Sequence, residues 1–274
     1  MSKTVSKFFI IFCAIISILP LWFMFSGSFI SFARVLYMPP KLWPDNPTVE
    51  HYQWVLGMKN FWVWTSNTVI IAISTMVLSV IVSCMTGYVF SFHNIRFKKL
   101  LWILFLSGAI IPRISIIIPL FVVMGKIGIT GNLFSVIIIG IFSPTGIYLA
   151  RNYFDTIPKS LVESARIDGA SEFQIIRKII IPISKPLIAT IGLSTVIGAL
   201  GDFMWQSLQL QNDTSQTLLV ALMREVLKFS VDQVGKIGIS HSLTIGMFMF
   251  FPLLIVFIFA NKHFVGTLSG AVKE

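Results

Sequence analysis

Charged residues are scarce in this sequence, and acidic residues are the scarcest. Asp, Glu, Lys and Arg together make up 12% of the 274 positions, whereas soluble globular domains carry about a quarter of charged residues. Hydrophobic residues reach 55%, and the mean hydropathy is +0.86. So little polar surface cannot cover a folded chain of this length in water. The composition argues against an ordinary soluble enzyme and predicts an integral membrane protein.

Motifs for catalysis, nucleotide binding and metal binding are also absent. The sequence has no Gly-x-x-x-x-Gly-Lys-Ser/Thr phosphate loop, no His-Glu-x-x-His and no Gly-x-Ser-x-Gly. Cys13 and Cys84 both lie in apolar runs, so they predict neither a disulfide framework nor a metal site. The four histidines are scattered, which is typical of loop or interface residues. We therefore expect that this chain is not an enzyme and that it binds no cofactor.

Six apolar runs approach or exceed the roughly 20 residues that a helix needs to cross a bilayer. Because apolar residues do not alternate with polar ones, helices are favoured over barrel strands. Prolines within several runs are tolerated where neighbouring helices or water satisfy the freed carbonyls. We expect one all-α transmembrane domain over residues 1–274, with six spans at residues 8–30, 64–92, 100–123, 133–150, 187–203 and 243–260.

Basic residues concentrate on one side of these spans. With the N-terminus inside the cell, 13 of the 21 lysines and arginines lie in inner segments and 7 in outer ones. The positive-inside rule then places both termini in the cytoplasm. Topology and contact with anionic lipid account for the net charge of +10, so nucleic acid is not an expected partner.

The beginning of the chain also resembles a signal peptide. Lys3 and Lys7 precede an apolar run, and Ser31-Phe32-Ala33 follows it as a small-residue cleavage motif. The run is longer than a usual signal-peptide core, which favours a retained first helix.

The longest inner segment, residues 151–186, combines charges with glycine and proline. Pro158 suits the first turn of a helix, with Asp155 or Thr156 ahead of it as the cap. That helix should end at Asp168-Gly169, where glycine can take a left-handed conformation.

A second helix in this segment should begin at Ser171, which can form a capping box with Gln174. Pro182 and Pro186 then return the chain to the membrane. The helix should have one apolar face, formed by Phe173, Ile176 and Ile180. The physical pattern fits a compact knob held by a partner protein and equally fits a hairpin lying on lipid headgroups.

This segment resembles the cytoplasmic loop of importer permeases of the ATP-binding-cassette superfamily, in the maltose-type carbohydrate branch. That loop reads Glu-Ala-Ala, three residues, Gly, nine residues, Ile, one residue, Leu-Pro. The matching positions here are Glu163-Ser164-Ala165, Gly169, Ile179 and Ile181-Pro182, and Asp168-Gly169-Ala170 matches a favoured Asp-Gly-Ala. The stretches IPRISIIIPLFVVMGKIGITGN and HFVGTLSGAVK also resemble the branch. One departure is Leu200-Gly201-Asp202-Phe203, where Trp-Asn is common.

The resemblance implies a permease subunit that forms half of a translocation path for a sugar or oligosaccharide in a bacterial or archaeal cell membrane. It implies four kinds of partner: a second, homologous permease, two ATPase subunits that hold ATP-Mg, an extracytoplasmic solute-binding protein and membrane lipid. Residues 151–186 would form the coupling-helix loop that contacts an ATPase through Glu163, Ser164, Ala165, Asp168, Gly169, Ala170 and Pro182. Importers of glycerol phosphate or polyols would match equally well. A secondary carrier is less favoured, because no span has a central acidic residue.

Arg113 lies deep within a predicted span. An arginine there costs roughly 2.5–3.5 kcal/mol on insertion scales, so it usually faces a cavity or a partner. It could hydrogen-bond sugar hydroxyls, or a substrate carboxylate, in the translocation path. It could instead pair with a backbone carbonyl or the second permease, or extend to the membrane surface.

Overall fold

The computed structural model describes residues 3–31, 42–232 and 239–271, and within these ranges every regular element is helical. The predicted all-α class is confirmed. Residues 32 and 33 of the signal-peptide-like motif and the last three residues of the chain lie outside the described ranges. The helices are α1 Lys3–Gly27, α2 Glu50–Leu56, α3 Phe61–Phe92, α4 Lys98–Ile110, α5 Arg113–Lys126, α6 Leu133–Ile141, α7 Pro144–Asp155, α8 Lys159–Ile167, α9 Glu172–Ile175, α10 Ile181–Ile183, α11 Lys185–Gly201, α12 Phe203–Gln209, α13 Leu218–Asp232 and α14 Ile239–Ala271.

Helices suited to crossing a membrane recur along the described chain. Four are long and apolar enough by themselves: Lys7–Gly27, Phe61–Phe92, Leu133–Asp155 and His241–Ile258. Two further pairs qualify together but are bent, by 103° between α4 and α5 and by 82° between Glu172–Ile183 and α11. Counting each bent pair once gives up to six candidate spans, and in the second pair the charged residues Glu172, Arg177 and Lys178 lie in the first half, so α11 is its apolar, membrane-spanning part.

The sharpest bend, within the region predicted as the third span, is caused by Pro112. Ile111 is extended at ψ 120° and Pro112 at ψ 125°, so the helix stops and restarts at Arg113. Proline removes a backbone donor and forces its preceding residue out of the helical region. The bend places Arg113 in the first turn of a new helix.

One compact unit comprises residues Met1–Thr65 and Leu218–Leu254. Its core packs α2 and the first turn of α3 against α13 and α14, through Val55, Phe61, Trp64, Leu218, Leu222 and Ile245. Two histidines that are far apart in sequence meet in this unit: the Nδ1 atoms of His51 and His241 lie 3.3 Å apart. His51 Nε2 donates to the Ile30 carbonyl at 2.8 Å, and burial lowers the pKa of His51.

The second compact unit comprises residues Ser66–Thr217 and Ile255–Glu274. One of its clusters joins α3, α5, α6 and α12 through Ile71, Ile117, Val136 and Trp205. Another packs residues of the 151–186 segment against α3, α7 and α11 through Tyr88, Phe154, Val162, Ile175, Ile180 and Leu187.

Gly87 allows α3 and α7 to approach closely in this unit. A Cβ atom at Gly87 would lie 2.6 Å from the Ala150 Cβ and 2.9 Å from the Arg151 backbone nitrogen. Because backbone cannot move aside cheaply, we expect Gly87→Ala to cost about 1–3 kcal/mol of stability through overpacking. Thermal unfolding of the purified chain in detergent would show this as a lower midpoint.

The matched control for that variant is Gly125→Ala. Gly125 also lies inside a helix, but no atom comes within 4 Å of a Cβ built there. Alanine has the higher helix propensity, so the control should unfold at the wild-type temperature or slightly above it. Equal midpoints for the two alanine variants would contradict the close packing of α3 on α7.

Candidate functional site

Residues 159–183, called the elbow below, are two short helical stretches joined at Gly169. The first helix ends in a Schellman motif: Gly169 has φ +81°, its N–H donates to the Arg166 carbonyl, and the Ala170 N–H donates to the Ala165 carbonyl. The predicted left-handed glycine is confirmed. These bonds fix the angle between the two stretches.

The predicted cap of the first helix is wrong. Pro158 itself occupies the N-cap position, and no side chain there accepts a hydrogen bond from the helix. The Thr156 hydroxyl instead donates to the Tyr153 carbonyl at 2.6 Å, at the end of α7. Asp155 lies in the last turn of α7, where its carboxylate is 3.6 Å from Arg151 Nε. Asp155 is the last residue of the preceding helix, and Thr156 follows it as its C-cap.

The second stretch begins as predicted but turns a different side chain inward. Ser171 Oγ accepts from the Gln174 N–H at 3.3 Å, and Gln174 Oε1 accepts from the Ser171 N–H at 2.9 Å, which confirms the capping box. Phe173, however, is 69% exposed, whereas Ile175 and Ile180 are buried. Residues 176–180 form a π-helical turn, and that wider turn brings side chains five positions apart onto one face.

A cluster around Glu172 ties the elbow to the end of α3. Arg166 Nε donates to Glu172 Oε1 at 2.8 Å, and the Tyr88 hydroxyl donates to Glu172 Oε2 at 2.6 Å. His93 Nε2 lies 3.3 Å from Glu172 Oε2 and 3.3 Å from Arg166 Nη2. These four residues, called the Glu172 cluster below, were missed from the sequence. The sequence shows only that Glu172 lies in the first turn of a helix, and an acidic residue there is equally well explained by its favourable interaction with the helix dipole.

Hydrogen bonds from Arg166 and Tyr88 lower the pKa of Glu172 to about 2, from an ordinary value of 4.5. The carboxylate is therefore charged in the folded chain at all physiological pH values. A lowered pKa means that the cluster contributes its full stability above pH 4.5 and loses it as the pH falls towards 2.

We expect this loss to appear as a pH-dependent difference between wild type and Glu172→Gln. Above pH 4.5 the wild type should unfold at the higher temperature, because only it carries the charged cluster. Between pH 4.5 and about 2 the difference should shrink towards zero as Glu172 is protonated. The other carboxylates titrate in both proteins, so the difference between the two unfolding temperatures reports the protonation of Glu172. A difference that stayed constant down to pH 2 would contradict the cluster.

The predicted contact residues lie along the elbow surface. Ala165 and Ala170 are partly buried, and the exposed members are Glu163, Ser164, Asp168, Gly169 and Pro182. Two large apolar side chains flank them in the open: Ile167 is 86% exposed and Phe173 is 69% exposed. Exposed apolar groups beside charged ones are typical of a protein contact surface. The roles of the individual residues stay predictions.

Arg113 lies at a cavity of about 530 Å³ within the second unit, between α3, α5, α6, α11 and α12. Its Nη2 is 3.1 Å from Asp202 Oδ2, and these two side chains form the Arg113–Asp202 charge pair. Asp202 also caps α12, because its Oδ1 accepts from the Trp205 N–H at 3.3 Å. Asp202 was not among the partners predicted for Arg113 from the sequence. A contribution of Arg113 to substrate binding stays a prediction.

Metal-binding geometry is not found among the described residues. No group of three or more His, Cys, Asp or Glu side chains in residues 3–31, 42–232 and 239–271 could hold an ion. Both cysteines are free thiols.

Several apolar helices of membrane-spanning length, joined by a charged elbow, define a multi-pass integral membrane protein. Residues 79–269 match the family described as binding-protein-dependent transport system inner membrane component, and the chain belongs to that family. It is a membrane subunit of a binding-protein-dependent transport system.

Two permease proteins are similar to this chain over most of its length. The chain is 31% identical over 279 residues to the galactooligosaccharides transport system permease protein GanQ of Bacillus subtilis, covering 91% of this chain and 95% of the relative. It is 28% identical over 229 residues to the maltodextrin permease protein MdxG of the same organism, covering 82% and 81%.

A solved structure is similar over almost its whole length. It is a chain of a bacterial ABC transporter involved in the import of the acidic polysaccharide alginate, with a TM-score of 0.78 and 25% identity, covering 96% of this chain and 99% of that one. Together with the two permeases, it confirms the resemblance to the maltose-type carbohydrate branch.

Proposed function

We propose that this chain is one of two permease subunits of an ATP-driven oligosaccharide importer, and that its elbow couples the translocation path to an ATPase. The printed functions of GanQ, MdxG and the alginate transporter support a glycan substrate. Those relatives include an importer of an acidic polysaccharide, so their names leave the charge class of the substrate open.

The observation that carries the proposal is the construction of the elbow. A coupling element needs an outer surface that a partner can hold and an inner surface that moves with the spans. Ile167 and Phe173 supply exposed apolar surface, next to Glu163 and the bend at Gly169. On the other side, Ile175 and Ile180 pack into the core that α3, α7 and α11 share. A hairpin that lies on lipid headgroups would explain the basic residues. It would not explain why one surface of the elbow is exposed and apolar while the other packs into the core of the spans.

The Glu172 cluster gives the elbow a second, polar attachment to α3. Tyr88 lies within α3, and His93 follows its last residue. When two ATPase subunits close on ATP-Mg, a cleft that holds the elbow moves, and the cluster together with the apolar core transmits that movement to α3. In this proposal the chain itself binds no nucleotide and catalyses no reaction.

The remaining parts of the assembly follow from the family description. The proposed partners are a second, homologous permease, two ATPase subunits and a solute-binding protein that delivers substrate from outside. Both termini and the elbow would face the cytoplasm, in the cell membrane of a bacterium or archaeon. The distribution of lysine and arginine supports this orientation.

Purification of the chain in mild detergent, followed by an ATPase assay, tests the proposal. We expect an ATPase and a second permease to copurify, and a neutral or acidic oligosaccharide together with the binding protein to stimulate ATP hydrolysis. A chain that purifies alone, or a complex whose hydrolysis no glycan changes, would contradict the proposal.

A further inference from the structure

We propose that the cavity of the second unit is a binding subsite for uncharged glycans, and that the Arg113–Asp202 charge pair excludes glycans carrying carboxylates. This inference rests on the proposed function and adds the charge class of the substrate, which that function leaves open. It also places a substrate contact within this subunit.

The cavity has the size and composition of a small-ligand site. Its volume of about 530 Å³ falls within the roughly 300–1,000 Å³ typical of ligand pockets. Such pockets are mostly apolar with a few polar groups that orient the ligand. Apolar residues from α3, α5 and α6 make up much of this wall, and the uncharged polar groups are Thr75, Ser143, Ser194, Thr195 and Gln206.

Two residues of the wall have polar atoms that lack hydrogen bonds to the described part of the chain. The Thr75 hydroxyl and the Trp205 indole N–H are both buried and have no partner there. Buried polar atoms are nearly always hydrogen-bonded, so each of these needs an explanation. Both atoms are covered by neighbouring groups and have no surface open to the cavity, so a hydroxyl-rich ligand could supply a donor and an acceptor only after these side chains turned towards it.

The electrostatics of the cavity favour a neutral ligand. Among the described residues that line it, Arg113 and Asp202 are the charged ones, and their charges cancel. Neutral hydroxyls can donate to Asp202 and accept from the remaining N–H groups of Arg113 without breaking the pair. A substrate carboxylate would have to compete with Asp202 for Arg113, at a distance where two like charges repel strongly.

Asp202 is held in place and cannot withdraw easily to admit an anion. Its Oδ1 accepts the Trp205 N–H, and its side chain is 16% exposed, whereas the Arg113 side chain is 52% exposed. Moving the carboxylate would leave the Trp205 N–H, an otherwise unsatisfied donor in the first turn of α12, without its acceptor. Asp202 is therefore the specificity-determining residue, and Arg113 is the group that it neutralises.

Four assembled complexes, which give the cavity three charge states, test this inference. Wild type and Arg113→Gln/Asp202→Asn are neutral, Asp202→Asn carries one positive charge, and Arg113→Gln carries one negative charge. Asparagine keeps the oxygen that caps α12. Each complex is reconstituted in lipid nanodiscs without binding protein or nucleotide. Dissociation constants are measured for maltotetraose and for the same tetrasaccharide oxidised to carboxylates at C6, so that the ligands share all other ring atoms and linkages and differ at C6.

We expect wild type to bind the neutral tetrasaccharide at least about tenfold more tightly than the carboxylated one. Asp202→Asn should remove or reverse that preference, because Arg113 becomes available to a substrate carboxylate. Arg113→Gln should discriminate against the carboxylated ligand more strongly than wild type. The double variant should return to a preference for the neutral ligand.

A wild-type complex that binds both ligands equally, prefers the carboxylated one or binds neither would overturn the inference, and this comparison needs no variant. An unchanged ligand preference in an Asp202→Asn complex that retains all its subunits would also overturn it. Glycan-stimulated ATP hydrolysis by wild type with its binding protein is measured separately. If that stimulation is present while the charge series fails, the inference fails alone and the proposed function stands.

Discussion

Gly169→Val is expected to uncouple ATP hydrolysis from uptake, reducing uptake by about tenfold while hydrolysis continues. Gly169 has φ +81°, and a left-handed conformation costs other residues about 1–2 kcal/mol and β-branched residues more. No atom lies within 4 Å of a Cβ built at this position, so the effect comes from the backbone rather than from a clash. Relieving the strain rotates the chain out of the Schellman motif and changes the angle of the elbow.

Gly169→Asn is the matched control, because asparagine tolerates the left-handed region far better than valine. It should retain most of the uptake that the valine variant loses. Uptake and ATP hydrolysis are measured in proteoliposomes that contain equal amounts of each complex. Full uptake by the valine variant, or equal loss in both variants, would show that the left-handed glycine does not set the coupling geometry.

Glu172→Lys is expected to have the second-largest effect, with uptake reduced about fivefold or more. The substitution places a positive charge beside Arg166 and removes the acceptor of the Tyr88 hydroxyl. Charge-assisted hydrogen bonds are the strong ones, and reversing one partner turns attraction into repulsion. The elbow would keep its apolar attachment and lose its polar one. ATP hydrolysis should therefore continue with weaker dependence on substrate.

Glu172→Gln should have a smaller effect than Glu172→Lys, because an amide still accepts a hydrogen bond from Tyr88. Asp155→Asn is the control for loss of a carboxylate nearby: its pairing with Arg151 spans 3.6 Å, and exposed pairs of this kind contribute little. Uptake and hydrolysis are compared in the same proteoliposomes. An Asp155→Asn loss as large as that of Glu172→Lys would argue for a general charge effect instead of the Glu172 cluster.

Local sequence rules predicted the parts of the elbow that neighbouring residues determine. The capping box needs only Ser171 and Gln174, three positions apart, and the left-handed turn needs only Gly169. The same rules misplaced Phe173, because they assume a regular helical period and the chain instead makes a π-helical turn at residues 176–180. A change of period within five residues leaves no clear pattern in the sequence.

Hydrogen bonds and ion pairs between distant segments could not be predicted from one sequence. Glu172 meets Tyr88 from 84 positions away. Arg113 begins the helix after the break at Pro112, Asp202 caps the start of α12, and the two side chains meet although they are 89 positions apart in the sequence (202 − 113). Composition predicted the membrane helices, since length and apolarity suffice for that. It carries no information on which polar side chains share a cavity.

Cross-linking from a single cysteine at Ser164 tests the central claim most directly. Ser164 is exposed on the elbow, and the native Cys13 and Cys84 are first replaced by serine. We predict that an impermeant thiol reagent labels this cysteine only after the cytoplasmic face is opened, and that a short bifunctional cross-linker joins it to an ATPase subunit. Labelling in intact cells, or no captured ATPase in a complex that contains one, would contradict the account.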